Sequence, residues 1–266
     1  NIVFTGKTFT YDGTEKSILI EGELPSGVAI KEYTNNNQIN AGIYVVTVSF
    51  IVEDSTYYNE VSDLTATLTI EKANIELDNI LFKNQSFVYD KNPKSIYVEG
   101  TIPPGVYIEH YNNNSKVNVG EYTVTAVFKV YDEDNYNTTP TLTAILEITK
   151  AYIDVSNVKL QSKTFIYDGD KKSLSIDGTL PSIVVLEGYS NNDQTNAGTY
   201  EVTANFKVLD ELNYYIPLPL TATLTINKAN YDMSKVTFPS ETFTYDGTAK
   251  EIMIIGELPN GVSVSR

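Results

Sequence analysis

The sequence predicts an all-β chain built as a tandem array of small sandwich modules, and three observations lead to that prediction. One sequence pattern recurs every 78 residues without a gap. Within each copy, apolar and polar residues alternate with the period of two that marks a half-buried strand. The composition also suits pleated strands, because the chain has 20 Tyr, 2 Met and no Trp, and Val, Ile and Thr are frequent.

The repeat is defined by landmarks that keep the same step along the chain. The motif Phe-x-Tyr-Asp begins at Phe9, Phe87, Phe165 and Phe243. The motif Asn-x-Gly-x-Tyr begins at Asn40, Asn118 and Asn196, and a Lys-Ala pair closes the copies at Lys72, Lys150 and Lys228. Cutting at Lys-Ala predicts repeats at 1–72, 73–150 and 151–228 and a truncated repeat at 229–266. A phase that starts near Asn40 is the alternative, and in either phase the sequence ends inside a repeat.

The third repeat shows the strand pattern most clearly. An inward-facing apolar set alternates there with polar residues, and it consists of Tyr200, Val202, Ala204, Phe206 and Val208. A closing strand follows at 220–226, with Thr on its outer face, where it can form cross-strand pairs. Shorter strands are expected near 3–4, 9–11, 18–20 and 28–30 and one period later, which makes six or seven strands per repeat. No window has helical periodicity.

Turn residues separate these strands. Asp12-Gly13, Asp168-Gly169 and Asp246-Gly247 have the signature of a tight turn, because Gly accepts positive φ and Asp hydrogen-bonds to its own backbone. The second repeat has Asp90-Lys91 instead, so a turn of another type is expected there. Many short strands at this spacing favour immunoglobulin-like β-sandwich modules, and a β-grasp-like sheet is the alternative.

Several motifs carry a family resemblance that extends over the whole chain. They are Phe-x-Tyr-Asp-Gly, Leu-Pro-x-Gly-Val at 24–28 and 258–262, and Asn-Ala-Gly-x-Tyr-x-Val-Thr at 40–47 and 196–203. With them, the chain resembles the tandem β-rich repeats of bacterial surface proteins and adhesins, of the MBG or YDG type or the bacterial Ig-like type. The resemblance implies an extracellular or cell-surface module without catalysis, arrayed between an anchor and a binding tip. Lys91 in place of Gly, and Ser182-Ile183 after Pro181, depart from the motifs.

Charge and composition exclude several classes of function. The net charge of −15 and a pI near 4.4 argue against attraction to nucleic acid or to an anionic membrane. The absence of Cys excludes disulfides, thiolate metal sites and a Cys nucleophile. No apolar stretch approaches the ~18–20 residues that span a bilayer, so no membrane insertion is expected within this sequence, and any export signal or anchor is expected outside it.

Candidate sites for chemistry are few. His110 is the single histidine, so no Ser-His-Asp set or histidine metal site can be assembled, and it is expected on a strand surface. Asp132 and Asp134 lie in an oxygen-rich loop and are candidate calcium ligands, although the EF-hand spacing is absent. No other cofactor is expected. Asp12 and Lys16, four residues apart and repeated along the chain, predict a surface ion pair, with a Lys–Asx crosslink as the alternative.

Tyrosines give the candidate ligand site. Tyr97, Tyr107 and Tyr131 occur in the second repeat alone and could stack on a sugar, whereas Tyr11, Tyr44 and Tyr58 recur and are expected in the core or at a corner. Two functions follow. The first is a structural stalk or fibre that spaces a functional tip from an anchor and has neighbouring repeats of the same chain as partners. The alternative is an adhesin array that binds a host or matrix glycan or protein directly.

Overall fold

The computed structural model describes residues 2–265, which contain sixteen β-strands and no helix. The chain divides into two compact units, Asn1–Ala151 and Tyr152–Arg266. We refer to residues 1–72, 73–150, 151–228 and 229–266 as the first to fourth repeats. None of the described residues belongs to a helix that could cross a membrane.

The first repeat forms one four-stranded sheet. Its strands are β1 Lys7–Thr10, β2 Val28–Thr34, β3 Gly42–Val52 and β4 Leu64–Glu71, in the spatial order β1-β4-β3-β2. The pairs β2–β3 and β3–β4 are antiparallel, and β1–β4 is parallel. The sheet is therefore mixed, with the first and last strands of the repeat side by side.

The second repeat contains the same four-stranded sheet and, in addition, a short two-stranded sheet. Its strands are β5 Ile80–Leu81, β6 Gln85–Val88, β7 Glu99–Gly100, β8 Val106–Asn112, β9 Gly120–Val130 and β10 Leu142–Thr149. The four-stranded sheet has the order β6-β10-β9-β8, and β5 pairs with β7. In the first repeat, that small sheet is reduced to a single bridge between Val3 and Glu21.

The unit Tyr152–Arg266 contains the same arrangement. Its strands are β11 Lys159–Leu160, β12 Lys163–Ile166, β13 Ile176–Asp177, β14 Val184–Ser190, β15 Gly198–Val208 and β16 Leu220–Asn227. The four-stranded sheet has the order β12-β16-β15-β14, and β11 pairs with β13. Between 229 and 265 the described residues form no named strand, and one bridge joins Thr237 to Ile255.

The core lies between the large sheet and a thin second layer. In the second repeat, Ile80 from the small sheet packs in one cluster with Val106, Ala126 and Phe128 from the large sheet. Ile96, on the segment before β7, packs with Val124 and with buried residues of β10. The prediction of an all-β chain of repeated sandwich-like modules is thus confirmed.

The predicted faces of the long strands are also correct. In β15 the side chains of Val202, Ala204, Phe206 and Val208 are buried, and the intervening Glu201 and Lys207 are exposed. The same alternation holds in β9. Period-two patterning therefore identified the strands that carry the core.

The strand predicted at 18–20 is absent from the first repeat, and an asparagine side chain explains why. Asn36 Nδ2 donates to the Ile18 carbonyl at 2.8 Å, and the Ile18 amide donates to Asn36 Oδ1 at 3.0 Å. Asn114 holds Ile96 in the same way, at 2.8 and 3.0 Å. The amide of one side chain thus replaces a neighbouring strand, because it offers one donor and one acceptor in the same plane.

The prediction of a different turn at Asp90-Lys91 is wrong. Lys91 has φ of 71°, close to the 77° of Gly13. The Asp90 carboxylate accepts the Asn92 amide at 2.9 Å, just as Asp12 accepts the amide of Thr14. The aspartate therefore holds the turn in place even where a residue with a Cβ must adopt the left-handed conformation.

Replacing Lys91 with glycine is expected to stabilise the second repeat by about 0.5–1 kcal/mol, because relief of left-handed strain outweighs the added chain entropy. Gly13→Lys makes the reverse change in the first repeat and should destabilise it by a similar amount. Native-state hydrogen exchange of β9 and of β3 measures the two repeats separately. A loss of protection in Lys91→Gly would contradict the expectation.

Candidate functional site: the joint between the first and second repeats

A loop of the second repeat, Asp132–Asn137, contains a buried and extensively hydrogen-bonded asparagine. It follows β9. The Asn135 amide and its side-chain Nδ2 donate to the two carboxylate oxygens of Asp132, at 3.2 and 3.0 Å. Asn135 is only 6% exposed, which is unusual for an amide side chain, since such groups are mostly found at the surface. Asp132 thus fixes the position of a buried asparagine.

The buried Asn135 reaches across to the first repeat. Its Oδ1 accepts the Ala41 backbone amide at 2.7 Å, and its Nδ2 also donates to Asn40 Oδ1 at 3.3 Å. These residues are 94 and 95 positions apart in sequence. Because the side chain is buried, removing either partner would leave a polar group without a hydrogen bond.

Backbone bonds add to this contact at the point where one repeat passes into the next. The Ala73 amide donates to the Asn135 carbonyl at 3.0 Å, and the Asn137 amide donates to the Ala73 carbonyl at 2.8 Å. Lys72 Nζ donates to the Glu133 carbonyl at 2.5 Å. The connecting segment is therefore paired with the loop and is not a free linker.

An aromatic pair completes the joint. The rings of Tyr11 and Tyr136 meet edge to face, with centroids 5.3 Å apart and an interplanar angle of 84°. Such pairs contribute about 0.5–1.5 kcal/mol beyond the area that they bury. Two repeats are thus joined by a buried amide, a short backbone ladder and an aromatic contact.

The motif Asn-Ala-Gly-x-Tyr builds the receiving side of the joint. Tyr44 Oη donates to the Asn40 carbonyl at 2.8 Å, which holds the residues before β3 in place. A Cβ on Gly42 would lie 2.9 Å from Tyr44 Oη and 3.0 Å from its ring, so the tyrosine requires a glycine there. The motif therefore presents the Ala41 amide and the Asn40 side chain toward the loop.

The predicted ion pair of Asp12 and Lys16 is present beside the Asp-Gly turn. Lys16 Nζ lies 2.5 Å from Asp12 Oδ2, and the carboxylate is 54% exposed. The bond from Lys16, together with bonds from the hydroxyl and amide of Thr14, holds the pKa of Asp12 well below its ordinary value. In the fourth repeat, Lys250 and then Thr248 lower the pKa of Asp246 to about 2.

These bonds predict a shifted acid titration. The charged form of Asp246 is favoured in the folded chain, so its contribution to stability is present above an unfolded pKa of about 3.9 and is lost as the pH falls through about 2. We expect the carboxyl ¹³C resonance of Asp246 to titrate near 2, and Lys250→Met to move that midpoint toward about 3.9. Lys235→Met removes the same charge elsewhere and should leave the midpoint unchanged. A normal midpoint in the unmodified chain would contradict the assignment.

The calcium candidates lie in the joint loop. Both carboxylate oxygens of Asp132 accept hydrogen bonds from Asn135. Asp134 is exposed. Among residues 2–265, no three His, Cys, Asp or Glu side chains converge to hold a metal ion. The calcium site stays a prediction, and Asp132 has a structural role as well.

The structure brings two of the three candidate tyrosines together. The rings of Tyr107 and Tyr131 lie 4.7 Å apart, and Tyr131 is 73% exposed. Tyr97 packs edge-on against Tyr111 instead. The ligand patch therefore reduces to one aromatic pair, formed by Tyr107 near the start of β8 and Tyr131 directly after β9.

The sequence also predicted the positions of His110 and Tyr58, and the structure agrees with the first of these. His110 lies on β8 with its side chain 49% exposed and 3.6 Å from Glu109, as expected for a strand surface. Tyr58, expected in the core or at a corner, is 69% exposed. The equivalent Tyr136 packs against Tyr11 of the preceding repeat.

Comparison with known proteins identifies part of the chain. Residues 156–230 match the model of the MBG domain family, so the expected resemblance is confirmed for this segment. No curated protein matches the sequence. Among solved structures, the chain is similar to the first three extracellular cadherin domains of mouse protocadherin-24. The TM-score is 0.30 and the identity 11%, over 85% of this chain and 98% of that chain.

Two further solved structures have a similar extent of match. A three-immunoglobulin-domain segment of titin has a TM-score of 0.24 and 11% identity, over 86% of this chain and 99% of that chain. The protein SGBP-B of a Bacteroides ovatus mixed-linkage glucan utilization locus, in complex with a heptasaccharide, has a TM-score of 0.18 and 10% identity, over 84% and 67%. At these TM-scores the likeness does not extend to function.

Proposed function

We propose that this chain, in which residues 156–230 match the MBG domain family, is a non-catalytic structural array of an extracellular or cell-surface protein. Its repeats would space a functional tip from an anchor and bear the tension between them. The observation that carries this proposal is the parallel pairing, in each complete repeat, of the first and last strands of the four-stranded sheet. These pairs are β1–β4, β6–β10 and β12–β16.

Parallel terminal strands give a repeat a specific response to force. When the two ends of a repeat are pulled apart, the first strand of its four-stranded sheet moves one way and the last strand of that sheet moves the other, along the line of both strands. In the first repeat, the register from Lys7↔Leu68 to Thr10↔Glu71 places the strands side by side, and the Tyr11 amide adds a bond to the Glu71 carbonyl at 2.8 Å. The interstrand bonds therefore share the load and must break together.

Antiparallel pairs in the same repeat provide the matched comparison. The strands β3 and β4 are joined by residues 53–63. Pulling on the two ends of that loop would open the pair one bond at a time, at lower force. The contrast depends on the direction of pulling and not on the number of bonds, so it tests the strand arrangement itself.

Single-molecule force spectroscopy tests the proposal. The chain has no cysteine, so introduced thiols define the anchor points. Pulled from its ends, the chain should show separate unfolding events that each release on the order of 25 nm, at ~3.3–3.6 Å per residue. The unfolding forces in this geometry should be clearly higher than the force that opens the β3–β4 pair when cysteines replacing Asp54 and Asp63 are the anchors. Equal forces in the two geometries would overturn the tension-bearing role.

One observation favours direct adhesion as a second candidate. Tyr107 and Tyr131 present paired rings at 4.7 Å on the second repeat, and aromatic rings of this kind can stack on a sugar. A glycan array with the full chain tests this function. Binding that is lost in Tyr131→Ala and kept in Tyr57→Ala, which removes an exposed tyrosine elsewhere, would support it. An array without binding would count against it.

A further inference from the structure

An open copy of the joint's receiving surface lies at the end of the third repeat. A cavity of about 400 Å³ is lined there by Tyr167, Asn196, Ala197, Lys228 and Ala229, and by Asn230 and Tyr231. Six of these residues are identical in type to the residues two periods earlier that hold the joint loop: Tyr11, Asn40, Ala41, Lys72, Ala73 and Asn74. We call the residues Tyr167, Asn196, Ala197, Lys228, Ala229 and Asn230 the socket.

The backbone of the socket is held by the same contacts as the equivalent backbone of the first repeat. Tyr200 Oη donates to the Asn196 carbonyl at 2.9 Å, as Tyr44 does to Asn40 at 2.8 Å. A Cβ on Gly198 would lie 3.0 Å from Tyr200 Oη, so Gly198 is closely packed against the tyrosine, as Gly42 is against Tyr44. The backbone that presents the Ala197 amide is therefore held as the backbone at Ala41 is held.

Exposure shows what the socket lacks. Tyr167 is 43% exposed, whereas Tyr11 is partly buried beneath Tyr136. Ala229 is exposed and the equivalent Ala73 is partly buried. Within residues 2–265, no hydrogen bond reaches the amide of Ala197, the counterpart of the amide that Asn135 accepts. The socket therefore has the Ala197 amide, the Asn196 side chain and the Tyr167 ring. It lacks counterparts of Asn135 and Tyr136, which contact the equivalent groups of the first repeat.

We infer that the socket binds a loop of sequence Asp-x-x-Asn-Tyr on another repeat of the same kind. The buried asparagine of that loop would accept the Ala197 amide and its tyrosine would cover Tyr167. The chemistry is that of Asp132–Asn137 on the first repeat, where Asn135 and Tyr136 make these contacts. This inference rests on the proposed function, because the partner is a further unit of the array.

The exposed loop of the first repeat is a poorer occupant. It begins with Asp54 but has Tyr57 at the position of Asn135, so it lacks the amide group that the socket requires. In a second copy of this chain, the loop of the first repeat would therefore offer the correct aspartate and tyrosine without the central hydrogen bond. The occupant is defined by the asparagine.

Hydrogen exchange in the unaltered chain provides the first test. The Ala41 amide is bonded to Asn135 and the Ala197 amide is open, so Ala41 should exchange on the order of tenfold more slowly or more. NMR of chain labelled with ¹⁵N-alanine resolves the two positions, and Ala197→Gly assigns the second. Equal protection of Ala197 would overturn the inference, because the socket would already be satisfied.

An extended chain provides the second test. A second copy of residues 73–150 replaces 229–266, which supplies a loop with Asn135 and Tyr136 next to the socket. Ala197 should then become protected to the level of Ala41, and Asn135→Ala in the added copy alone should reverse this. Asp134→Ala in the added copy is the matched control and should leave the protection in place. An unchanged Ala197 beside a folded added copy would overturn the inference.

A second version guards against misfolding of the added copy. Residues 111–150 appended after residue 266 complete the fourth repeat in register and supply the same loop. Protection of Ala197 in every version that folds supports the docking, and an unprotected Ala197 in a folded version contradicts it. The force measurement does not depend on the socket, so failure of the tension-bearing role and failure of the docking are distinguishable.

Discussion

Asn114→Ala is expected to destabilise the second repeat by about 2–4 kcal/mol, because it leaves both backbone groups of Ile96 without partners and each such group costs about 1–3 kcal/mol when buried. Ile96 is 1% exposed, so water does not replace the lost bonds. No cavity term of comparable size applies, since Asn114 is only partly buried. The effect therefore reports the two hydrogen bonds at 2.8 and 3.0 Å.

Native-state hydrogen exchange of β9 and β10 measures the loss in the second repeat alone. Asn112→Ala, two residues earlier on the exposed face, is the matched control and should change the free energy of opening by less than about 0.5 kcal/mol. Asn192→Ala should produce the same loss in the third repeat. There the Asn192 side chain donates to the Leu174 carbonyl and accepts from the Leu174 amide, both at 2.8 Å. An Asn114 variant as stable as the Asn112 variant would show that the side chain does not replace a strand.

Asn135→Asp is expected to open the joint between the first and second repeats. The new carboxylate would face the carboxylate of Asp132, which now receives a bond from Asn135 Nδ2 at 3.0 Å, and it could no longer donate to Asn40. Loss of a buried donor costs about 1–3 kcal/mol, and like charges add to it. The Ala41 amide should then exchange about tenfold to a hundredfold faster.

Thr138→Asp introduces the same charge just outside the loop and serves as the control. It should leave the exchange of Ala41 unchanged, since Thr138 is exposed. Protection within β9 should persist in both variants, because the joint and the core of the second repeat are separate contacts. If Asn135→Asp left Ala41 protected, the buried amide would not be what holds the two repeats together.

The sequence predicted those parts of the fold that have a periodic pattern. Alternation located β3, β9 and β15, since a half-buried strand must present every second residue to the core. It failed at Ile18, where the backbone pairs with the side chain of Asn36 and no second strand is needed. The prediction from turn residues failed at Lys91. An Asp-Gly pattern shows which residue is best suited to a turn and not which other residues the turn tolerates.

The candidate site was harder to predict because its contacts are not local. Asn135 acts on Ala41, 94 residues away, and neither position interrupts an apolar pattern. The available signal was the recurrence of Asp-x-x-Asn-Tyr at 132–136 and 210–214, together with its absence at 54–58, where Tyr57 replaces the asparagine. Sequence reasoning considered the carboxylates of this loop as metal ligands, and in the structure Asp132 orients an amide.

The joint also bears on how the length of such a gene can change. Its two halves, Asn40-Ala41 and Asn135-Tyr136, occupy fixed positions in a period of 78 residues. Loss of residues 73–150 by recombination between equivalent positions would bring Asn213-Tyr214 into the place of Asn135-Tyr136, with the same residue types. The repeat number can therefore fall by one whole period while the boundary at Asn40-Ala41 keeps a matched pair of halves.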